Sequence, residues 1–372
     1  MKLKLYELKV IEKLKVYLID KGYPESSLKE HFLIKDGVYL QIDLAVIDSE
    51  KIVEIYEIKS PTEIKNISKD ESKYKKVEDI IASKVPAFFV ALDRDVLIFS
   101  QISDAVNAFI TFYNLLKRYV KEEDEYTYFF RGHSSLRYVL KPGIYRKNEH
   151  CKGIENEDIL FKEAIRRNPA DFPDRTSTFE KLVKMQHYGL PTRLLDITTN
   201  PLVALYFAVS ESKNEDGEIY IFKIKNSDLK YYDSDAVSVV SNLARRPIGF
   251  YNPQITDWKK YNKNIIISYL LHEIRYEKPH FQSVINRQDI EKVFCVLPKL
   301  DNPRIMKQAG AFFLYGIKGK KSEHAILNQV PRRIIINKVG KINLLKELKV
   351  LGVDKSTLFP EIDHVMEIIK EK

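Results

Sequence analysis

Apolar residues near the N-terminus recur at helical spacing. Leu5, Leu8, Ile11, Leu14 and Leu18 lie three or four positions apart, which predicts an amphipathic helix over residues 3–21. Short apolar runs bounded by turn signals follow this helix and predict strands. The predicted elements are strands Phe32–Ile34, Tyr39–Asp48 and Lys51–Lys59, a charged helix Lys69–Ser83, and strands Ala87–Leu92 and Val96–Ser100. This αβββαβ order predicts a mixed sheet flanked by helices.

The pattern changes after a charged run that ends near residue 125. A helix predicted over Asp104–Lys121 ends in Lys-Glu-Glu-Asp-Glu, where we place a domain boundary. Beyond it, strands and helices are interleaved, which predicts an α+β domain. Its predicted elements are a strand at 126–132, helices Asp158–Arg167, Phe179–His187 and Pro201–Val209, and strands Glu218–Ile224, Val293–Leu297 and Ala311–Tyr315.

The chain is therefore expected to join two fold classes, α/β and then α+β. We expect an α/β domain over residues 1–105, a linker helix over 106–125, a larger α+β domain over 126–340 and a helical cap over 341–372. The length of 372 residues and a hydrophobic content of 44% agree with more than one core.

The charge and the cysteine content narrow the possible partners and the cellular compartment of the protein. The net charge of +9 favours anionic partners, nucleic acid first, although a lysine-rich proteome would produce the same balance. The two cysteines, Cys151 and Cys295, form no CxxC pair, which argues against a disulfide scaffold and a zinc ribbon. No stretch is apolar enough to span a bilayer. We expect a cytoplasmic protein that makes no membrane contact.

The first candidate site lies on two of the predicted N-terminal strands. Asp43 sits among apolar neighbours, and Glu57 and Lys59 are two residues apart on one strand face. Hairpin pairing would bring Asp43 beside Glu57, where two carboxylates repel unless a cation neutralises them. A hard divalent ion suits such an oxygen cluster, and the Lys59 ammonium would orient an attacking water or stabilise charge on a phosphate. The structural alternative is an edge strand with an exposed Glu-x-Lys.

This arrangement resembles the PD-(D/E)XK nuclease superfamily, most of all the nuclease module of type I restriction subunits. The resemblance implies a restriction-endonuclease-like mixed sheet over about residues 3–100. It further implies Mg²⁺ or Mn²⁺ held by Asp43 and Glu57, with Lys59 as the catalytic lysine. Glu7 or Glu12 on the first helix would be an additional acid.

The second candidate site is carried by three motifs in order. They are Phe130-Arg131-Gly132-His133, the run from Met185 to Asp196 that reads MQHYGLPTRLLD, and the run from Asn302 to Phe312 that reads NPRIMKQAGAF. Together they resemble the FRG domain, a family of bacteria and phages. The resemblance covers about residues 125–320 and implies a fold more than a chemistry.

Five polar residues of these motifs are candidate ligand-binding groups: Arg131, His187, Arg193, Asp196 and Gln308. Residues just before a helix lie where free backbone N–H groups bind anions, and arginine suits bidentate phosphate recognition. The structural alternatives are a buried Arg193–Asp196 ion pair and a core histidine at His187. Gly132, Gly189 and Pro191 are expected to serve backbone geometry.

A weaker resemblance connects this region to ADP-ribosyltransferases. Phe130-Arg131-Gly132 is similar to their NAD-binding strand motif, and Asp196-Ile197-Thr198-Thr199 with the next helix is similar to their second motif. Gln308 stands near the position of their catalytic Glu and is not an acid. The resemblance implies NAD as ligand.

Other polar groups give weaker evidence of function. His272 with Glu273, and the arginine pairs at 245–246 and 332–333, are expected on solvated faces. The lysine-rich segment 69–76, with Tyr74, would suit a nucleic-acid track.

Three functions follow as hypotheses. The first is a bacterial or phage-encoded defence effector that combines a metal-dependent nuclease module with an FRG domain and acts on DNA or RNA. The second is an ADP-ribosyltransferase-like toxin that uses NAD, with the N-terminal module only binding or targeting. The third is a non-enzymatic protein that binds nucleic acid or a partner, such as one encoded by a neighbouring gene. Substrate, trigger and oligomeric state do not follow from the sequence.

Overall fold

The N-terminal unit of the computed structural model contains a five-stranded sheet with helix α1 packed against it. The structure describes residues 2–35, 39–48, 51–59, 87–93, 96–101, 108–146 and 153–361, with 366 and 370. The described elements of this unit include helix α1 (Lys2–Asp20) and strands β1 (Leu28–Lys35), β2 (Tyr39–Asp48), β3 (Lys51–Ile58), β4 (Ala87–Asp93) and β5 (Val96–Gln101). The predicted helix Lys69–Ser83, with Tyr74, and Cys151 lie outside the described residues.

The strands follow one another in the order β1-β2-β3-β4-β5. All neighbours are antiparallel except β3 and β4, which are parallel. A parallel pair needs a crossover of a dozen or more residues, which the chain between Lys59 and Ala87 supplies. The prediction of a mixed sheet is therefore confirmed.

Helix α1 packs its apolar stripe on this sheet. Val10, Ile11, Leu14 and Leu18 are buried in one cluster with residues of β2, β3 and β4. Leu8, which we expected on the buried face, is 45% exposed, and Val10 takes that place. The predicted helical period is thus right, but Leu8 lies beyond the edge of the buried stripe, which includes Val10 instead.

The second unit surrounds a seven-stranded sheet. Its strands are β6 (Tyr126–His133), β7 (Leu194–Thr198), β8 (Gly217–Lys225), β9 (Lys230–Tyr231), β10 (Val293–Leu297), β11 (Gly310–Tyr315) and β14 (Arg332–Ile336), in the spatial order β14-β8-β6-β7-β11-β10-β9. Strands β12 (Ile317–Lys318) and β13 (Lys320–His324) form a separate hairpin. All pairs within the large sheet are antiparallel except β10 with β9.

Helices of the second unit pack against this sheet in two apolar clusters. In chain order they are α2 (Phe109–Tyr119), α3 (Glu157–Arg167), α4 (Thr178–His187), α5 (Pro201–Val209), α6 (Asp235–Ser241), α7 (Trp258–Asn262), α8 (Ile265–Glu277), α9 (Arg287–Ile290), α10 (Pro303–Lys307), α11 (Lys341–Val350) and α12 (Lys355–Leu358). Helix α5 is apolar on almost every face and lies in a core with α2, α11, β8 and β14. Among the described helices, none has the length and apolarity needed to cross a membrane.

A buried charge network joins the two units. Arg333 on β14 donates from Nε to Glu54 Oε1 on β3 (2.5 Å) and from Nη1 to Glu218 Oε2 on β8 (2.8 Å). Lys21, after α1, pairs with Glu218, and Tyr23 donates to Glu54 (2.7 Å). The four charged side chains balance and are almost wholly excluded from solvent.

The network corrects one prediction. Arg333 is not on a solvated face, because it is 2% exposed and bonded to two carboxylates. Arg245 and Arg246 are also less exposed than predicted, since both pair with a partly buried Glu273. His272 is exposed, as predicted.

Candidate functional site

The antiparallel register of β2 and β3 brings the first two candidate carboxylates together. Leu44 pairs with Tyr56 and Ala45 with Ile55, so Asp43 lies opposite Glu57 at the next position. Directly opposed side chains on one face of such a pair have Cβ atoms about 4.5–5.5 Å apart. Asp43 Oδ2 also accepts a hydrogen bond from the Ile58 amide (2.7 Å), which fixes the aspartate at this place. The structure therefore places the carboxylates of Asp43 and Glu57 next to each other.

The environment of Glu57 works against its negative charge. Burial raises its pKa, the Asp43 carboxylate raises it further, and Lys59 acts in the opposite direction; together they bring the pKa to about 7. A carboxyl in this state is close to half protonated at neutral pH. A divalent cation between Asp43 and Glu57 would remove the repulsion that raises this pKa, so the two residues fit a hard metal ion.

Lys59 directly follows strand β3, two residues after Glu57. Its amide donates to the Val90 carbonyl on β4 (2.9 Å), and its own carbonyl accepts from the Tyr6 hydroxyl on α1 (3.2 Å). The backbone that carries the candidate lysine is thus held by both a strand and a helix. Tyr56 lies on the opposite face, as predicted, with its hydroxyl bonded to Glu54.

The expected additional acid is not found. Within the part of the chain that the structure describes, no three His, Cys, Asp or Glu side chains form a metal-binding group. Glu7 is partly buried on α1 and Glu12 is exposed, and neither completes a group of three with Asp43 and Glu57. A metal at this site would therefore have two protein carboxylates and keep several positions for water and phosphate.

A cavity of about 210 Å³ forms the second candidate site, and the three motifs of the second unit line it. Arg131 on β6, His187 at the end of α4, Asp196 on β7 and Gln308 after α10 all contribute to its wall. Sequence motifs that are about 180 residues apart thus meet at one place, as predicted for four of the five polar residues.

Arg131 connects strand β6 to β7 at the base of this cavity. Its Nη1 donates to the Asp196 carbonyl (2.6 Å) and lies 3.8 Å from the Asp196 carboxylate. Burial lowers the pKa of Arg131 to about 10, so the guanidinium stays protonated at neutral pH. Asp196 is 63% exposed and also accepts from Gln186 Nε2 (2.8 Å).

His133, two residues after Arg131, links this cavity to the buried network. Its Nε2 accepts from Arg131 Nε (3.0 Å), so Nδ1 carries the proton and donates to Glu218 (3.2 Å). Burial lowers the pKa of His133 to about 3, which agrees with a neutral ring in that tautomer. The chain of contacts Arg131–His133–Glu218–Arg333–Glu54 therefore runs from the cavity to strand β3.

The end of the described chain lies against the cavity mouth. Gln308 Nε2 donates to the Leu358 carbonyl (3.1 Å), and His187 Nε2 is 3.5 Å from the Glu361 carboxylate. His187 is thus not a simple core histidine, because it contacts an acid at the cavity edge. Ala309, next to Gln308, adopts a left-handed φ of 46°, a conformation that non-glycine residues rarely take.

Arg193 does not belong to this site, and the expected Arg193–Asp196 pair is wrong. Its side chain is fully buried, points to the other side of β7 and forms a bidentate pair with Glu157 on α3. Its Nη1 donates to the Tyr315 carbonyl (3.0 Å). Alternation along β7 explains the difference, because Arg193 and Asp196 are an odd number of residues apart and face opposite sides.

Close packing against helix α5 explains why a glycine, Gly132, stands in the FRG motif. A Cβ on Gly132 would lie 1.9 Å from the Ala204 carbonyl oxygen of α5, so no other residue fits this approach. Gly189 adopts φ +83°, in the left-handed region. Both findings confirm the expected backbone roles.

Two cavity residues were missed, although both stood within the quoted motifs. Gln186 bonds Asp196, and Arg304 lines the cavity with its guanidinium over the Phe359 ring (4.7 Å). Both are polar residues of the quoted motifs, since Gln186 directly precedes His187 and Arg304 lies four positions before Gln308. Glu157 and Glu218, the partners of Arg193 and Arg333, carried no such signal, since each stands among other charged residues in the sequence.

Comparison with known protein families supports the FRG resemblance of the second unit. Residues 126–217 match the family model of the FRG domain, a span that includes Arg131, His187 and Asp196 and ends before Gln308. The match is shorter than the predicted 126–340, whereas the seven-stranded sheet continues to Ile336. Searches among curated proteins and among solved structures returned no significant match. The chain therefore contains an FRG domain, whose matched residues include strands β6 and β7 and part of the wall of the Arg131 cavity.

Proposed function

We propose that the protein is a metal-dependent nuclease whose active site is the Asp43–Glu57–Lys59 cluster, joined to an FRG domain. The observation that carries this proposal is the Glu57 carboxyl, whose pKa of about 7 reflects burial and the facing Asp43. A structural carboxylate at this position would gain nothing from that environment. A cation-binding carboxylate would, because the ion replaces the proton.

The residues divide the reaction between them. Asp43 and Glu57 would hold one Mg²⁺ or Mn²⁺, which when bound supplies Lewis-acid stabilisation of the phosphate and lowers the pKa of a bound water. Lys59, on the same face as Glu57, orients the attacking water and stabilises the charge that builds on the phosphate oxygens. Tyr6 fixes the Lys59 carbonyl and thereby the start of the side chain.

The net charge of +9 supports nucleic acid as the substrate. DNA and RNA both fit, since the proposed chemistry needs only a phosphodiester. By analogy with defence genes that join a nuclease to a second module, we propose a bacterial or phage defence effector that works in the cytoplasm. The FRG domain would then sense or modify a ligand or partner protein.

The test is cleavage of plasmid DNA and of a structured RNA by the full chain in Mg²⁺, in Mn²⁺ and in EDTA. We expect cleavage only with metal, abolished in Asp43→Asn and Glu57→Gln. Lys59→Ala should lower the rate by about 10²-fold or more, the typical effect of removing one group that stabilises transition-state charge.

Lys29→Ala is the matched control for Lys59→Ala. Lys29 is an exposed lysine on β1, so its removal changes net charge equally without touching the cluster. The proposal fails if neither substrate is cleaved with metal, or if Lys59→Ala cleaves as fast as the Lys29→Ala control.

A second candidate function rests on the cavity of the FRG domain. Arg131 and Asp196 lie on adjacent strands at its base, where the resemblance to ADP-ribosyltransferases would place NAD. Under this alternative, radiolabel from NAD would pass to protein or nucleic acid in a toxic reaction, and Arg131→Ala would abolish the transfer. Gln308 stands near the position where these transferases have a catalytic acid, so we place the nuclease hypothesis first.

A paired test in cells separates these functions. If phage protection or toxicity is lost with Lys59→Ala and kept with Arg131→Ala, the nuclease carries it; the reverse supports the NAD alternative. Survival of the effect in both variants supports the third hypothesis, a binding protein without chemistry at either site.

A further inference from the structure

Four residues of the cavity wall are held by the chain's own C-terminal segment. The Leu358 carbonyl accepts from Gln308, and the Phe359 ring lies over Arg304 and edge-on to Phe207, at a centroid distance of 6.1 Å. Glu361 lies 3.5 Å from His187. We call residues Leu358–Glu361 the cover segment.

Glu361 is in an unfavourable position for a charged group. Both carboxylate oxygens are buried, and neither has a hydrogen-bond partner among the described residues. A buried carboxylate without hydrogen bonds is costly, and its contact with His187 is longer than a hydrogen bond. Among the described residues, the contact with His187 is therefore the polar interaction that holds the Glu361 carboxylate at the cavity edge.

The wall beneath the cover segment favours negative charge. Arg131 and Arg304 are cationic, and Asp196 is the carboxylate that opposes them along the described lining. His187 stands at the edge with its Nε2 directed at the Glu361 carboxylate. Aromatic rings of Phe207 and Phe312 complete the wall, so the cavity combines apolar surface with a few convergent polar groups.

We propose that this cavity binds a small anionic ligand, and that the cover segment closes it in the ligand-free protein. The Glu361 carboxylate occupies the place of the ligand's anionic group beside His187. Binding then requires displacement of Phe359 from Arg304 and Phe207, which frees the Arg304 guanidinium for the anion. The proposal is independent of the nuclease site.

Access to the cavity can be measured without a ligand. Val203 lines the cavity and is 1% exposed, so Val203→Cys places a small thiol there. We expect slow alkylation in the full chain and alkylation about tenfold faster when Phe359→Ala is added. Peptide mass spectrometry separates label at residue 203 from label on Cys151 and Cys295.

Leu351→Ala is the matched control, because Leu351 is an apolar residue of the same C-terminal region that is 50% exposed. Equal alkylation rates with Phe359→Ala and Leu351→Ala would contradict the proposal that the cover segment closes the cavity. Circular dichroism melts of both variants ensure that the comparison is made on folded protein.

The ligand class is tested with inorganic pyrophosphate by calorimetry, against sodium chloride of matched ionic strength. Glu361→Gln removes the competing charge, so we expect pyrophosphate to bind this variant about tenfold more tightly than the unmodified chain. The gain should disappear in Glu361→Gln with Arg304→Gln. Absence of pyrophosphate binding to Glu361→Gln, or equal affinity for both proteins, would overturn the anionic site even if the cover opens.

Discussion

At the scale of single residues, the decisive group is Glu57. Its pKa is raised to about 7 by burial and by Asp43, and Lys59 does not offset this. The sequence predicts that Asp43 lies near Glu57, but not the exact register of the hairpin. The pairs Asp48–Lys51 and Ile47–Ile52 would place Asp43 opposite Tyr56, and a bulge beside Val46 and Ile47 shifts the register by one residue to Glu57. The partner of Arg193 was not predictable either, because Glu157 lies 36 residues away on a helix, and no local pattern points to it.

Glu57→Gln should stabilise the metal-free protein in a pH-dependent way. The folded-state pKa of Glu57 lies above the value of 4.5 for an unperturbed carboxyl, so its contribution to stability is present below pH 4.5 and is lost as the pH rises through 7. Glutamine has no such loss. In thermal melts with EDTA, the melting temperature of Glu57→Gln should therefore be higher than that of the wild type. This difference should be larger at pH 8 than at pH 5.

The control for this prediction is Glu12→Gln, an exposed glutamate of α1. Its melting temperature should track that of the wild type across the pH range. A constant difference between Glu57→Gln and the wild type from pH 5 to pH 8 would contradict a raised Glu57 pKa.

At the scale of elements, the apolar patterns predicted the N-terminal strands to within a few residues. Strand β14 was missed because its sequence, Arg-Arg-Ile-Ile-Ile, begins with two charges. The pattern of β14 cannot reveal that Arg333 meets Glu54, a residue 279 positions earlier. Strand β7 was not among the predicted strands, because Asp196, which faces the cavity, interrupts its apolar run.

The contact between β6 and α5 gives the prediction at this scale. Gly132→Ala should destabilise the protein by about 3 kcal/mol or more, because the new methyl group would overlap the Ala204 carbonyl at 1.9 Å and force the helix away. Gly249→Ala is the matched control, since its Cβ would meet no atom within 4 Å. Urea unfolding measures both, and equal stabilities would contradict the described packing.

At the scale of the whole molecule, the two units are joined by buried charges as well as by apolar contacts. Burial and the neighbouring Arg333 lower the pKa of Lys21 to about 8, although Glu218 supports its charge. Burial raises the pKa of Glu218, but Lys21, His133 and Arg333 outweigh it and bring the value to about 2. The regions predicted as domains over 1–105 and 126–340 are therefore in direct contact through these buried charges.

Arg333→Met should destabilise the protein by about 3–5 kcal/mol, because it leaves Glu54 and Glu218 buried without their main partner. Because Glu54 lies three residues before Glu57 on β3, we also expect weaker metal binding at the Asp43–Glu57 pair. Arg332→Met, a change at the less buried neighbour, is the control. Equal unfolding free energies of the two variants would contradict the network.

The most direct test of the central claim is calorimetric titration of the full chain with Mn²⁺ at pH 7. One site is predicted, absent in Asp43→Asn and in Glu57→Gln. Its enthalpy should depend on the ionisation enthalpy of the buffer, because a Glu57 carboxyl with a pKa of about 7 releases part of a proton when the metal binds. Absence of Mn²⁺ binding, or binding that both substitutions leave unchanged, would contradict a metal-dependent site at Asp43 and Glu57.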